Sequence, residues 1–313
     1  MRIITTLLLL TCSTFGLAQY RELGAFIGAT NYKGDLHQES ALVPTEYNPA
    51  LGLFGRYNFS RTLAAKVSLT KGQITGMDAN SKDPAIRNRN LNFRSDVVEL
   101  SLQGEFNLLP FAIREGKTSA PYLFAGLAGY YFNPQAEMRG NWYDLQPLGT
   151  EGQGMTNKAR YSRYQVAIPF GIGFKFSLNN QINLGMEFGA RRTFTDYLDD
   201  VSGLYPDILE LEQVNPRAAA LSFRTPEVNH HAPSNPEGLY RGNPDDKDWY
   251  FFGGITMSVN MTDKYGLDFD KKYDIFKTPK TDDSEVNKRW LKRKAQMQKA
   301  REHRKAIAAK KKK

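Results

Sequence analysis

Residues 97–108 constrain the fold most, because Val98, Leu100, Leu102, Gly104, Phe106 and Leu108 hold one parity while Val97, Glu99, Ser101, Gln103, Glu105 and Asn107 hold the other. Successive side chains of a strand point to opposite faces, so this alternation describes a strand with one apolar and one polar face. The pattern recurs. Leu23, Ala25, Ile27 and Ala29 oppose Gly24, Phe26 and Gly28; Leu51, Leu53, Gly55, Tyr57 and Phe59 oppose Gly52, Phe54, Arg56 and Asn58. After a tight turn at Ser60-Arg61, Leu63, Ala65, Val67 and Leu69 oppose Ala64, Lys66, Ser68 and Thr70. Further strands fall at 164–177, at 182–191 after the Asn179-Asn180 turn, and at 249–260. Pro121 to Phe132 is apolar on both parities, so its faces are not assignable from pattern.

Eight strands result, joined by links that alternate in length: 31–50, 71–94, 133–160 and 192–247 are long, whereas those near 60, at 109–120 and at 178–181 are short. Outer-membrane barrels combine long external loops with short periplasmic turns, and an even strand count returns the chain to its starting side. The expected fold is therefore all-β: an eight-stranded antiparallel up-and-down transmembrane β-barrel over 20–260, in the bacterial outer membrane, with both termini periplasmic. Aromatic residues fit two girdles, with Tyr57, Phe59, Phe106, Phe174 and Phe176 at one set of strand ends and Phe188, Trp249 and Phe251 at the other. A soluble sandwich or lipocalin-like barrel alternates too, but it would leave the charged face outside and accounts for neither the girdles nor the loop alternation.

Residues 1–19 carry Arg2, an apolar run from Ile3 to Leu10 and the small-residue end Gly16-Leu17-Ala18, the pattern of a secretory signal peptide. Cys12 is the only cysteine; Thr11 before it and the short apolar run argue against a lipoprotein site. Beyond the signal no run of eighteen apolar residues occurs, which excludes a membrane-spanning helix and says nothing against strands.

The net charge of +9 is local: residues 288–313 hold thirteen Lys or Arg against one Glu, so the rest sums to 9 − 12 = −3. Nucleic acid is not an expected partner for an exported chain with a basic tail. Residues 261–313 are expected to form a periplasmic linker and a basic helix, since helix formers follow Pro279 and Ser284 offers an N-cap. Val286, Trp290, Met297, Ala300 and Ile307 share one face of that helix. Trp290 and Met297, flanked by Lys288, Arg289, Lys292 and Arg293, are the expected partner-binding residues of the tail.

An eight-stranded barrel has an interior that side chains fill. Arg56, Lys66, Glu99, Glu105, Lys175, Glu187 and Arg191 are expected to line it, paired with one another and with Asn58, Gln103 and Asn107, as a polar plug. Catalysis has little to use: His37, His230, His231 and His303 all fall in loops or tail, away from any strand-end serine, so no catalytic, metal or cofactor site is expected. Asp196, Asp199 and Asp200 read as turn and cap residues, not as a calcium loop.

The segments NYKGDL (31–36), NPALGLFGRYNFS (48–60), SKDPAIRNRNLNFRSDVVELSLQGEFNLLPF (81–111), PYLFAGLAGYYFNP (121–134), AIPFGIGFKF (167–176), RRTFTDYLDDVSGLY (191–205) and DWYFFGGITMS (248–258) resemble the PorG-like outer-membrane barrel family of Bacteroidota. That resemblance implies a non-enzymatic component of the type IX protein secretion system, associated with a periplasmic ring formed by a lipoprotein and its partner. The alternatives are a passive structural barrel of the OmpA kind, set in outer-membrane lipid, and an outer-membrane lipid-modifying enzyme.

Overall fold

The computed structural model describes residues 20–36, 46–113, 116–155, 158–261 and 291–299. The expected signal peptide, His37, His303 and the tail residues Lys288, Arg289 and Trp290 lie outside the described residues.

The alternating segments form β1 (Tyr20–Lys33), β2 (Asn48–Asn58), β3 (Leu63–Met77), β4 (Asn92–Asn107), β5 (Ser119–Met138), β6 (Asn141–Asp144), β7 (Tyr164–Ser177), β8 (Ile182–Thr193) and β9 (Trp249–Asn260). Eight of these pair in the order β4-β3-β2-β1-β9-β8-β7-β5, and β4 pairs with β5, which closes the sheet on itself. Every pairing is antiparallel, and closure removes the free edges that an open sheet would present. The ninth strand, β6, is a four-residue addition that pairs only with Gln135–Met138 of β5. Pattern reading missed it, because four residues are too few to show alternation.

The strands are joined by short turns at one end (the turn end) and long loops at the other (the loop end). At the turn end local side chains set the geometry: the Ser60 hydroxyl accepts from the Thr62 and Leu63 amides, and Asn179 Oδ1 accepts from those of Gln181 and Ile182. The strands run further toward the loop end than their alternation suggests, so the first two long links shrink to 34–47 and 78–91. Within the loops, Asp83 caps α1 (Pro84–Arg89) and Asp207 caps α3 (Ile208–Val214), with α2 (Leu145–Leu148) between them and α4 (Pro216–Ser222) after.

The apolar parity faces outward. Leu23, Ile27, Leu53, Val67, Leu100, Leu127, Val166, Ile172, Met186, Ile255 and Met257 are all exposed, an arrangement that water would penalise and lipid rewards. On β8 this apolar exterior runs from Ile182 to Ala190 and on β9 from Trp249 to Val259, the length a tilted strand needs to cross a hydrocarbon core.

The opposite parity faces a narrow lumen, and glycine makes room there for large rings. A Cβ at Gly24 would lie 2.4 Å from Cζ of Phe54, and one at Gly173 would lie 2.2 Å from Cζ of Tyr122. β5 now has its faces: Ala120, Tyr122, Phe124, Ala128, Tyr130 and Phe132 point in, while Leu123, Ala125 and Leu127 point out. Its parity contrast vanishes because its lumen face is itself apolar, with Tyr122 and Phe124 toward the turn end and Tyr130 and Phe132 toward the loop end.

Residues 262–313 form a unit separate from the barrel, in which 291–299 are helical; Met297 is half-buried, and Leu291, Lys292 and Arg293 are exposed.

Candidate functional site

The lumen holds the charged constellation. Arg56, Lys66, Glu99, Glu105, Lys175, Glu187 and Arg191 are all buried there, and they meet across the barrel. Arg56 bridges Glu22 at 2.8 Å and Glu105 at 2.9 Å; Lys175 approaches Glu105 at 3.2 Å; Lys66 bonds Glu187 at 2.5 Å; Arg191 bonds Glu99 at 3.0 Å. Tyrosines complete the set, Tyr122 donating to Glu187 at 2.9 Å and Tyr250 to Glu99 at 2.8 Å. The cations also lie over rings, Arg191 at 4.6 Å from the Phe252 centroid and Lys66 at 5.3 Å from that of Phe124.

Glu22 is the residue that sequence reasoning missed. It accepts from Arg56, from Asn58 at 2.7 Å and from Ser258 at 2.7 Å. Its parity with Gly24, Phe26 and Gly28 was the available signal. Adding it makes the lumen four cations against four carboxylates, which an enclosed region of low dielectric demands. Of the three amides expected to join the charges, Asn58 does so. Gln103 instead donates to Ser101 at 3.0 Å and Asn107 to the Arg61 carbonyl at 3.0 Å, while the side-chain oxygen of each is buried without a hydrogen-bond partner among the described residues.

Both mouths are covered. At the turn end, Phe111 of the 108–118 turn is buried beside Tyr20 and Ala120, with its amide bonded to the Arg61 carbonyl at 2.8 Å and the Lys175 ammonium 5.2 Å from its ring. At the loop end, Phe26, Tyr32, Phe93, Tyr130, Phe132, Tyr250 and Phe252 form a core that receives Leu36 and Leu91, and Leu198 and Val201 from the 194–248 loop.

Above that core the loops interlock through carboxylates. The Tyr32 hydroxyl lies 2.5 Å from Asp199 and 3.1 Å from Asp248, Asp199 also accepts from the Leu36 amide at 3.3 Å, and Asp35 accepts from the Asn243 amide at 3.0 Å. Arg89 grips Asp78 through two nitrogens, and Arg241 donates to Glu151 at 3.1 Å and to the Asp200 carbonyl at 2.6 Å. Tyr161 stacks between Phe132 and Tyr197. Burial pushes Asp199 up to about 8 and holds Asp248 well above the usual carboxylate range, with neighbouring carboxylates adding to both. Burial likewise lifts Asp35 to about 7 and Asp200 to about 6. Asp199 and Asp200 therefore do more than shape a turn. They are buried posts of the cap, a role that only partners distant in sequence could reveal.

Among the described residues no group of three or more His, Cys, Asp or Glu side chains is placed to hold a metal ion. His230 and His231 are exposed in the longest loop.

A closed antiparallel barrel with an apolar exterior and an ion-paired interior defines a transmembrane β-barrel of the outer-membrane type. The chain belongs to the family described as a domain of unknown function (DUF6089), whose model matches residues 1–215. No curated protein matches it. Similar solved structures include Ail, the attachment invasion locus protein of Yersinia pestis, in complex with the heparin analogue sucrose octasulfate; identity is 7%, 78% of this chain and 99% of that chain are covered, and the TM-score is 0.37. The N-terminal β-barrel domain of Pseudomonas aeruginosa OprF is 11% identical, covering 78% of this chain and 98% of that chain at a TM-score of 0.33. Neisserial surface protein A is 7% identical, covering 76% and 96% at 0.37.

Proposed function

We propose that the protein is a non-enzymatic, non-conducting structural barrel of the outer membrane, its loop end facing outward and both chain ends in the periplasm. What supports this most is the lumen: four cations and four carboxylates pair across it, with Phe111 under one mouth and the interlocked loops over the other. A solute path would have to break those pairs in a low-dielectric interior, at several kcal/mol each. The test is conductance of the purified barrel in a planar bilayer. No channel steps above the lipid baseline are expected, and stable porin-sized steps would overturn the proposal. Surface labelling of a single cysteine placed at Tyr240, exposed in the longest loop, tests the orientation.

A finer reading places this barrel in the type IX secretion system, beside the periplasmic ring lipoprotein and its partner. It is favoured by where the PorG-like segments fall: 31–36 and 191–205 supply Tyr32, Asp35, Asp199 and Asp200, posts of a specific cap that a generic barrel has no need of. On this reading the basic tail docks on the ring through Trp290 and Met297, with Lys288, Arg289, Lys292 and Arg293 around them. Deleting the gene should abolish export of type IX cargo, and a chain truncated before Lys288 should lose co-purifying ring components. Normal export in the deletion would leave the purely structural role.

A further inference from the structure

On the lipid-facing side of the barrel, at the loop end, three residues from adjacent strands stand in one register row. Lys33 of β1 pairs with Trp249 of β9, and Trp249 pairs with Arg192 of β8. All three have the outward parity: below them the same strands present Ile27, Ile255, Phe188 and Met186 to lipid. Trp249 leans over β8, its ring edge-on to Phe170 at 6.0 Å, where an amphipathic indole marks the boundary between hydrocarbon and headgroups. The two cations therefore stand at headgroup height, on either side of the indole. Their backbones are two strand spacings apart, about 10 Å, so two long side chains can converge on one group.

The other side of the barrel shows what is unusual about this row. There the outward cations at the same end are engaged: Lys71 with Asp96 at 3.1 Å, Arg94 with Gln135 at 2.9 Å and over the Trp142 ring, and Arg163 with Asn133 at 2.8 Å. Among the described residues neither the Lys33 nor the Arg192 side chain has a hydrogen-bond or ion-pair partner. Two unpaired cations flanking an interfacial indole are complementary to an anion that arrives from the membrane side.

We propose that Lys33, Trp249 and Arg192 form a seat for the phosphate of an anionic membrane lipid, whose acyl chains lie along the apolar exterior of β1, β8 and β9. The inference rests on the barrel spanning a membrane and is independent of any secretion partner.

The test places the purified barrel in phosphatidylcholine bilayers with trace spin-labelled phosphatidic acid or phosphatidylcholine, and measures the motionally restricted fraction of each. Each basic residue near an anionic lipid is worth roughly 1 kcal/mol, about a fivefold change in population, so the wild type should prefer phosphatidic acid by about fivefold or more. Lys33→Ser with Arg192→Ser should abolish the preference, whereas removing the same charge elsewhere, by Arg87→Ser with Lys117→Ser, should leave it. Gel mobility with and without boiling reports separately that each variant is still a closed barrel. If the double variant fails to fold, Arg192→Ser alone should lower the preference severalfold. No preference in the wild type, or full preference without the two cations, would overturn the proposal. So would complete displacement by free inorganic phosphate, which would make the seat a site for soluble anions.

Discussion

Arg56→Met is the sharpest test of the lumen. Among the described residues Arg56 is the only cation in direct contact with Glu22 and the closest to Glu105, so its loss leaves four lumen carboxylates against three cations. Glu22 keeps only the neutral donors Asn58 and Ser258; Glu105 keeps Lys175 at 3.2 Å and Lys66 at 3.9 Å. Removing one partner of a buried ion pair costs about 3–5 kcal/mol, and the surviving cations on Glu105 place the expected loss near the middle, about 4 kcal/mol. With a urea dependence of about 2 kcal/mol per molar, the unfolding midpoint should fall by about 2 M. The assay is urea titration in lipid, followed by the mobility difference between folded and unfolded bands. A second change, Glu22→Gln, removes the stranded charge and should restore about half of the loss. Unchanged stability in Arg56→Met, or a double variant as unstable as the single, would refute the view that charge balance governs this interior.

Two further outcomes are expected. Met186→Arg puts a charge at mid-strand on the lipid face of β8 and should cost about 2–4 kcal/mol in the same titration, whereas stability equal to wild type would mean that this face does not meet hydrocarbon. The cap should tighten in acid: Asp199 is pushed up to about 8 and Asp248 is held high, so the folded loops bind protons that the opened loops release. That stability is complete below the ordinary carboxylate range and is lost as pH rises through the folded values. Proteolysis within 194–248 should be faster at about pH 9 than at about pH 5.5, and Asp248→Asn, which cannot lose the proton, should flatten the difference.

Alternation by itself determined most of the barrel of this protein: the period of two assigns every barrel strand but β5 an outward apolar face, and the long-short rhythm of links determines that the strands run up and down. Seven of the eight lumen charges were legible for the same reason, since each stands on the parity opposite its strand's outward apolar residues, as Glu99 does between Val98 and Leu100. Tertiary structure decided the rest, because the deciding partners are remote in sequence. The β1–β2 register sets Glu22 opposite Arg56, 34 residues on, and closure brings Arg191 to Glu99 across 92 residues. The faces of β5 depend on lumen aromatics that erase the polarity contrast. Asp199 and Asp248 look like loop carboxylates until Tyr32, 167 and 216 residues away, lies between them. Local physics sets which way a side chain points; what it meets there depends on how the strands are threaded around the barrel.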